Sequence, residues 1–120
     1  VAESPIDALS LATLVKLSRG DWQGSHYLSL GGTAPRAMLQ FLYDHPHVTQ
    51  VSLCLDNDKA GMVGMERLEN AIREDPELSQ RVTLIYRNPP PVEHGKDYNE
   101  FLCTYVQTMR QQQQRRVEAR

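Results

Sequence analysis

Two aspartates, Asp56 and Asp58, stand one residue apart where the apolar run Val51-Ser52-Leu53-Cys54-Leu55 ends. In an extended backbone residues i and i+2 point the same way, so both carboxylates should face one spot beyond the end of a buried strand. Two like charges held that close repel unless one takes a proton or a cation sits between them. A hard divalent ion, Mg²⁺ or Mn²⁺, is the natural guest for such oxygen ligands. The pair therefore reads as a candidate metal site, followed by the turn Lys59-Ala60-Gly61 into a helical pattern.

The elements around it alternate between period 2 and period 3.6. Val1-Ala2 is a strand stub. Ile6 to Ser18 is an amphipathic helix that offers Ile6, Leu9, Leu11, Leu14, Val15 and Leu17 to a core and stops at Arg19-Gly20-Asp21. A short strand, His26 to Leu30, runs into Gly31-Gly32-Thr33, where Thr33 can cap the next helix and Pro35 fits its first turn. That helix carries Met38, Leu39, Phe41 and Leu42 and ends near His45-Pro46. Val48 to Leu55 is the most apolar strand and is expected at the centre. A helix from Ala60 to Glu74, a strand from Val82 to Tyr86, the stiff Pro89-Pro90-Pro91 loop and a helix from Tyr98 complete the pattern. Strand and helix in alternation predict a Rossmann-like α/β fold: three layers, α/β/α, around a mainly parallel four-stranded sheet. The domain is expected over residues 1–106. Residues 107–120, with Gln111 to Gln114 and a basic end, read as a fraying helical extension or a linker.

Ligands of such sheets bind outside the carboxyl ends of the strands. That rule gathers the acids. Glu3 follows the first strand as Asp56 and Asp58 follow the third, and Glu3 could ligate a metal or act as a general base. Asp7 lies one turn further on, where the helix dipole also favours an acid. Asp97 follows the fourth strand through the proline loop and also suits the N-cap of the last helix. Two other aspartate motifs fail on single residues. An EF-hand loop starting at Asp56 would need an oxygen ligand at Ala60 and a Glu at Arg67. A phosphoaspartate hydrolase would need a hydroxyl at Ala60.

With 120 residues and 40% hydrophobic content, the chain has the size and composition of one globular domain. No apolar run is long enough to span a membrane, and a cytoplasmic location is expected. The net charge of −2 excludes strong bulk attraction to nucleic acid, so any phosphate must be met through a metal or a local patch. Cys54 and Cys103 form no CxxC pair, and Cys54 reads as a reduced core thiol. His45 and His47 flank Pro46 in a loop with no partner at metal-ligand spacing in the sequence, and read as solvated. The first residues, Val1-Ala2-Glu3, suggest an excerpt of a longer protein.

Taken together, Glu3-x-x-x-Asp7, Leu30-Gly31-Gly32-Thr33, Leu55-Asp56-Asn57-Asp58-Lys59-Ala60-Gly61 and Gly95-Lys96-Asp97 resemble a Toprim domain, nearest to primase-like members and those of mobile elements. The resemblance implies that Glu3 is the catalytic glutamate and that Asp56 and Asp58 are the metal-binding pair. It implies further metal-holding roles for Asp7 and Asp97, and a small-residue turn at Gly32 and Thr33 lining the site. Lys59 and Lys96 sit where a basic residue could meet a phosphate, and a solvated lysine is an equal reading. The family usually has Gly where this chain has Asn57, and Ser4-Pro5 replaces its usual Gly after the glutamate. The implied chemistry is Mg²⁺-dependent phosphoryl transfer on nucleic acid, DNA first, beside other domains of a parent protein in replication, conjugation or mobile-element maintenance. A non-catalytic Toprim module for nucleic-acid or protein binding is the alternative, and a small-molecule phosphotransferase a weaker third.

Overall fold

A computed structural model describes residues 1–119. The central ladder is formed by β1 (Gln50–Leu53) and β2 (Leu84–Arg87), paired in parallel with Gln50 opposite Leu84 and Leu53 opposite Arg87. β-Branched and apolar residues alternate along β1, so Val51 and Leu53, continued by Leu55, fall on one side and are buried. Among the described residues five α-helices surround the ladder: α1 (Pro5–Leu17), α2 (Arg36–Asp44), α3 (Lys59–Glu74), α4 (Leu78–Arg81) and α5 (Tyr98–Glu118). The main core joins Met38 and Leu42 of α2, Met65, Leu68 and Ile72 of α3, and Leu78 of α4 to that side of β1. On the other side of β1, Asn88 donates to the Ser52 hydroxyl, and Cys54 is buried beside Tyr98 of α5. Tyr98 donates its hydroxyl to the Asn88 carbonyl at 2.7 Å, which fastens α5 to the end of β2.

Four strands are expected from the pattern, and the regular sheet has two. The other two segments are extended but short. Ala2 bridges Ser29 in parallel, with N–H···O bonds from Ala2 to Leu28 and from Leu30 to Ala2. Val1 reaches across to β1, its nitrogen donating to Ser52 and its carbonyl accepting from Cys54. Ala2 and Ser29 pair through a single bridge before the chain turns into α1, and no longer ladder forms there among the described residues. The backbone bonds still line up 28–30, 1–2, β1 and β2 side by side, and the three connections that matter leave from the same edge.

Helix α1 corrects the expected core. Its apolar residues Ile6 and Leu9 are 57% and 69% exposed and Leu17 is exposed too, whereas Asp7, Ala8 and Ser10 are buried. The buried stripe is small and polar because α1 packs closely on α5, whose Asn99 answers both polar side chains. In α3 the expected core residues Leu68 and Ile72 are buried and Val63 is exposed. Helix α5 runs without a break to Glu118, and residues 107–119 are exposed along it. Arg120 lies outside the described residues. No helix among the described residues is long and apolar enough to cross a membrane.

Candidate metal centre

Each acid is set by the way its segment leaves the sheet. Glu3 turns out of the Ala2 bridge, and its carbonyl accepts the Gly32 N–H at 2.8 Å. Gly31 and Gly32 make this approach with φ of 63° and 145°, a region that side-chain-bearing residues rarely enter. Asp56 and Asp58 follow β1. Asp58 is the N-cap of α3, and its Oδ1 accepts the Gly61 N–H at 2.7 Å. Gly61 has to be glycine, because a Cβ there would overlap the backbone carbonyl oxygen of Asp56. The first turn of α3 is thereby pressed against the loop that carries both aspartates.

One ligand oxygen from each of Glu3, Asp56 and Asp58 falls within 4.8 Å of the others, with all three residues half-buried. It is the one such group of three or more potential metal ligands among the described residues. The electrostatics follow from the crowding. Partial burial, and then the carboxylates of Glu3, Asp7, Asp58 and Asp97, push the Asp56 carboxyl up from 3.8 to about 6. Burial raises Glu3 as well, opposed by the Asp56 N–H that donates to its Oε1 at 3.4 Å. Asp58 moves the other way: the Gly61 N–H and the Lys96 ammonium hold it below the usual carboxylate range.

The donor set fits a hard divalent cation. Three convergent carboxylates, one of them driven towards protonation by its neighbours, are an oxygen site short of positive charge. A Mg²⁺ or Mn²⁺ ion held by Glu3, Asp56 and Asp58 would supply that charge.

The remaining expected residues have other immediate partners. Asp7 is buried and accepts from the Ser4 hydroxyl at 2.7 Å and the Asn99 N–H at 3.1 Å, tying the starts of α1 and α5 together. Asp97 caps α5 by accepting the Glu100 N–H at 2.8 Å. Neither belongs to the three-acid group, though both raise Asp56 through space. Lys96 meets Asp58 Oδ2 with its Nζ at 3.4 Å. Lys59 opens α3, is exposed and forms no ion pair among the described residues. Thr33 does not cap α2, whose N-cap position is Pro35. It lies instead against Gly64 of α3, where a Cβ would come within 3.1 Å of the threonine side chain.

Asn57 emerges with a positioning role. Its side-chain amide donates to the Pro90 and Gly95 carbonyls at 2.8 and 2.6 Å, and its N–H donates to the Lys96 carbonyl at 2.9 Å. The residue between the aspartates thus points away from the carboxylates and holds the loop that carries Lys96 and Asp97. Its amide, where a small turn residue would have sufficed, was the available signal.

Residues 1–102 match the Toprim-like family. The chain belongs to that family. This Toprim-like domain is also 40% identical over 73 residues to an uncharacterized protein of Bacillus anthracis, covering 55% of the chain. The match takes in 20% of that protein, so the chain spans about a fifth of the length of the curated relative. No solved structure matches.

Proposed function

We propose that this Toprim-like domain performs Mg²⁺-dependent phosphoryl transfer on a nucleic-acid backbone, with DNA as the first polymer to test, as one unit of a larger cytoplasmic protein. The observation that carries this reading is the convergence of Glu3, Asp56 and Asp58 at the carboxyl edge of the parallel segments. A divalent ion there would polarise a phosphoryl oxygen and steady the developing negative charge. Glu3, with its carboxyl raised, is suited to accept a proton from an attacking hydroxyl or water. Lys96 and Lys59 are the nearest cations to a bound phosphate in this reading, and the Gly32–Thr33 turn forms its wall. Asp7 and Asp97 belong to a second cation, which would have to compete with their helix-start hydrogen bonds. Residues 1–106 form the catalytic unit, primase-like or nuclease-like, serving replication, conjugation or mobile-element maintenance, and residues 107–120 extend it towards neighbouring domains.

A second reading, a non-catalytic module, draws on Asp58. Both of its oxygens are already engaged, one by the Gly61 N–H and the other by Lys96. Calorimetry with Mn²⁺ separates the two readings, joined to cleavage and primer-extension assays on labelled oligonucleotides. Metal binding in the wild type, lost in the double variant Asp56→Asn/Asp58→Asn together with any metal-dependent turnover, is the expected result. Asn remains a good N-cap, so α3 survives the change. Turnover unchanged in the double variant refutes the catalytic reading, and no binding at millimolar Mn²⁺ favours the module.

A further inference from the structure

A second group of ligand-type side chains lies at the opposite edge of the sheet. His26 precedes the extended segment 28–30 and His47 precedes β1, whereas the acids follow these segments. The two rings, far apart in sequence, bring their Nε2 atoms to 3.4 Å. N–H···O bonds cluster at about 2.9–3.0 Å, and 3.4 Å lies at the long end for any hydrogen bond between imidazoles. Two nitrogens on one tetrahedral zinc, each at 2.0–2.1 Å, stand about 3.3–3.4 Å apart. The spacing is thus that of two nitrogens sharing one ion, with no ring movement required.

The surroundings hold this geometry. His45 stacks on Phe41 with ring centroids 3.9 Å apart, and its Nδ1 lies 2.8 Å from the Phe41 carbonyl oxygen. That bond requires a proton on Nδ1 and leaves the His45 Nε2 without one in the neutral ring. His26 packs edge-on against Phe41 at 5.2 Å and lies 5.3 Å from the His45 ring; His47 lies 5.9 Å from His45. Three imidazoles and one phenyl ring thus form a wall, with the Nε2 atoms of His26 and His47 at its outer face. Both histidines are exposed, which leaves room for water to complete a coordination shell.

We propose that His26 and His47 bind a borderline transition-metal ion, Zn²⁺ or Cu²⁺, through their Nε2 atoms. The imidazole pair selects such ions over Mg²⁺, which prefers oxygen. The site is chemically independent of the carboxylates, so the chain has two metal loci of different hardness at opposite sheet edges.

The test uses untagged protein with excess Mg²⁺ present, titrated with Zn²⁺ by calorimetry and followed by long-range ¹H–¹⁵N spectra of the imidazoles. One Zn²⁺ per chain is expected, with the Nε2 resonances of His26 and His47 shifting together. His26→Ala and His47→Ala should each weaken binding at least tenfold. Asp56→Asn/Asp58→Asn and His94→Ala should leave it unchanged. Zn²⁺ binding at full strength in either His26→Ala or His47→Ala overturns the proposal, as do unmoved Nε2 resonances in the wild type. Loss of binding in the acid double variant also overturns it, because the ion would then sit at the carboxylates. The spectra need no variant, so they decide the matter even if a substitution perturbs folding.

Discussion

Replacing Asp56 by Asn should stabilise the metal-free protein. The Asp56 carboxyl titrates at about 6 in the folded chain against an ordinary 3.8, because burial and the acids around it penalise its charge. The folded state therefore keeps a proton between those two values that the unfolded chain has already lost. Stability falls as pH rises through that window, and the whole penalty is present at neutral pH. A shift of that size is worth about 3 kcal/mol unscreened; partial solvation reduces the figure to about 1 kcal/mol. Among the described residues Asp56 makes no side-chain hydrogen bond that Asn would forfeit. For a domain of this size, ~1 kcal/mol raises Tm by about 4 °C. Thermal melts in EDTA at neutral pH should show Asp56→Asn melting higher than the wild type by that margin. Well below pH 3.8 this position is neutral in both proteins, folded or unfolded, and the difference should vanish. Adding Mn²⁺ should reverse the order at neutral pH, since about 2.7 kcal/mol accrues to the wild type at a hundredfold excess over Kd. An Asp56→Asn protein less stable than wild type in EDTA at neutral pH refutes the electrostatic account of this site.

Other perturbations probe the scaffold. Asn57→Ala removes two hydrogen bonds to the Pro90 and Gly95 carbonyls and should cost about 1–3 kcal/mol in denaturant melts. Its Mn²⁺ affinity should fall as well, because the turn carrying Asp56 and Asp58 loses its anchor to the 90–97 loop. Gly61→Ala drives a methyl into the Asp56 carbonyl and should destabilise by about 1–3 kcal/mol or more, through strain rather than helix propensity. Ala normally favours a helix over Gly by about 1 kcal/mol, so a stabilised Gly61→Ala protein would show that the close approach does not exist.

The alternation of elements was legible because apolar spacing changes period wherever the chain passes from strand to helix. The trio Glu3, Asp56 and Asp58 was legible for a related reason: residues that end parallel segments share an edge. Helix α1 was not. Its apolar residues suggested one buried face, yet the close packing against α5 selected Ala8, Ser10 and Asp7, and sequence spacing does not reveal how near two helices come. Asp7 meets the Asn99 N–H across 92 residues, a pairing with no local signature. Ladder length was also hidden, since Val1-Ala2 and residues 26–30 carry strand composition but form a single bridge. Asn57 looked like a departure from a family pattern, and its reason lay in carbonyls more than 30 residues away.

The Asn57 clamp also bears on when the acid site exists during folding. The amide joins the β1 exit to carbonyls 33 and 38 residues further along the chain, so the turn between the aspartates gains its side-chain anchor only when the second half is in place. That anchoring is a long-range contact, of the kind whose loop-closure cost slows folding. In the native state the same closure links the lifetime of the carboxylate trio to that of the 90–97 loop. A local opening that frees the Lys96 carbonyl also frees the Asn57 amide hydrogen, so the two segments should exchange with solvent as one unit.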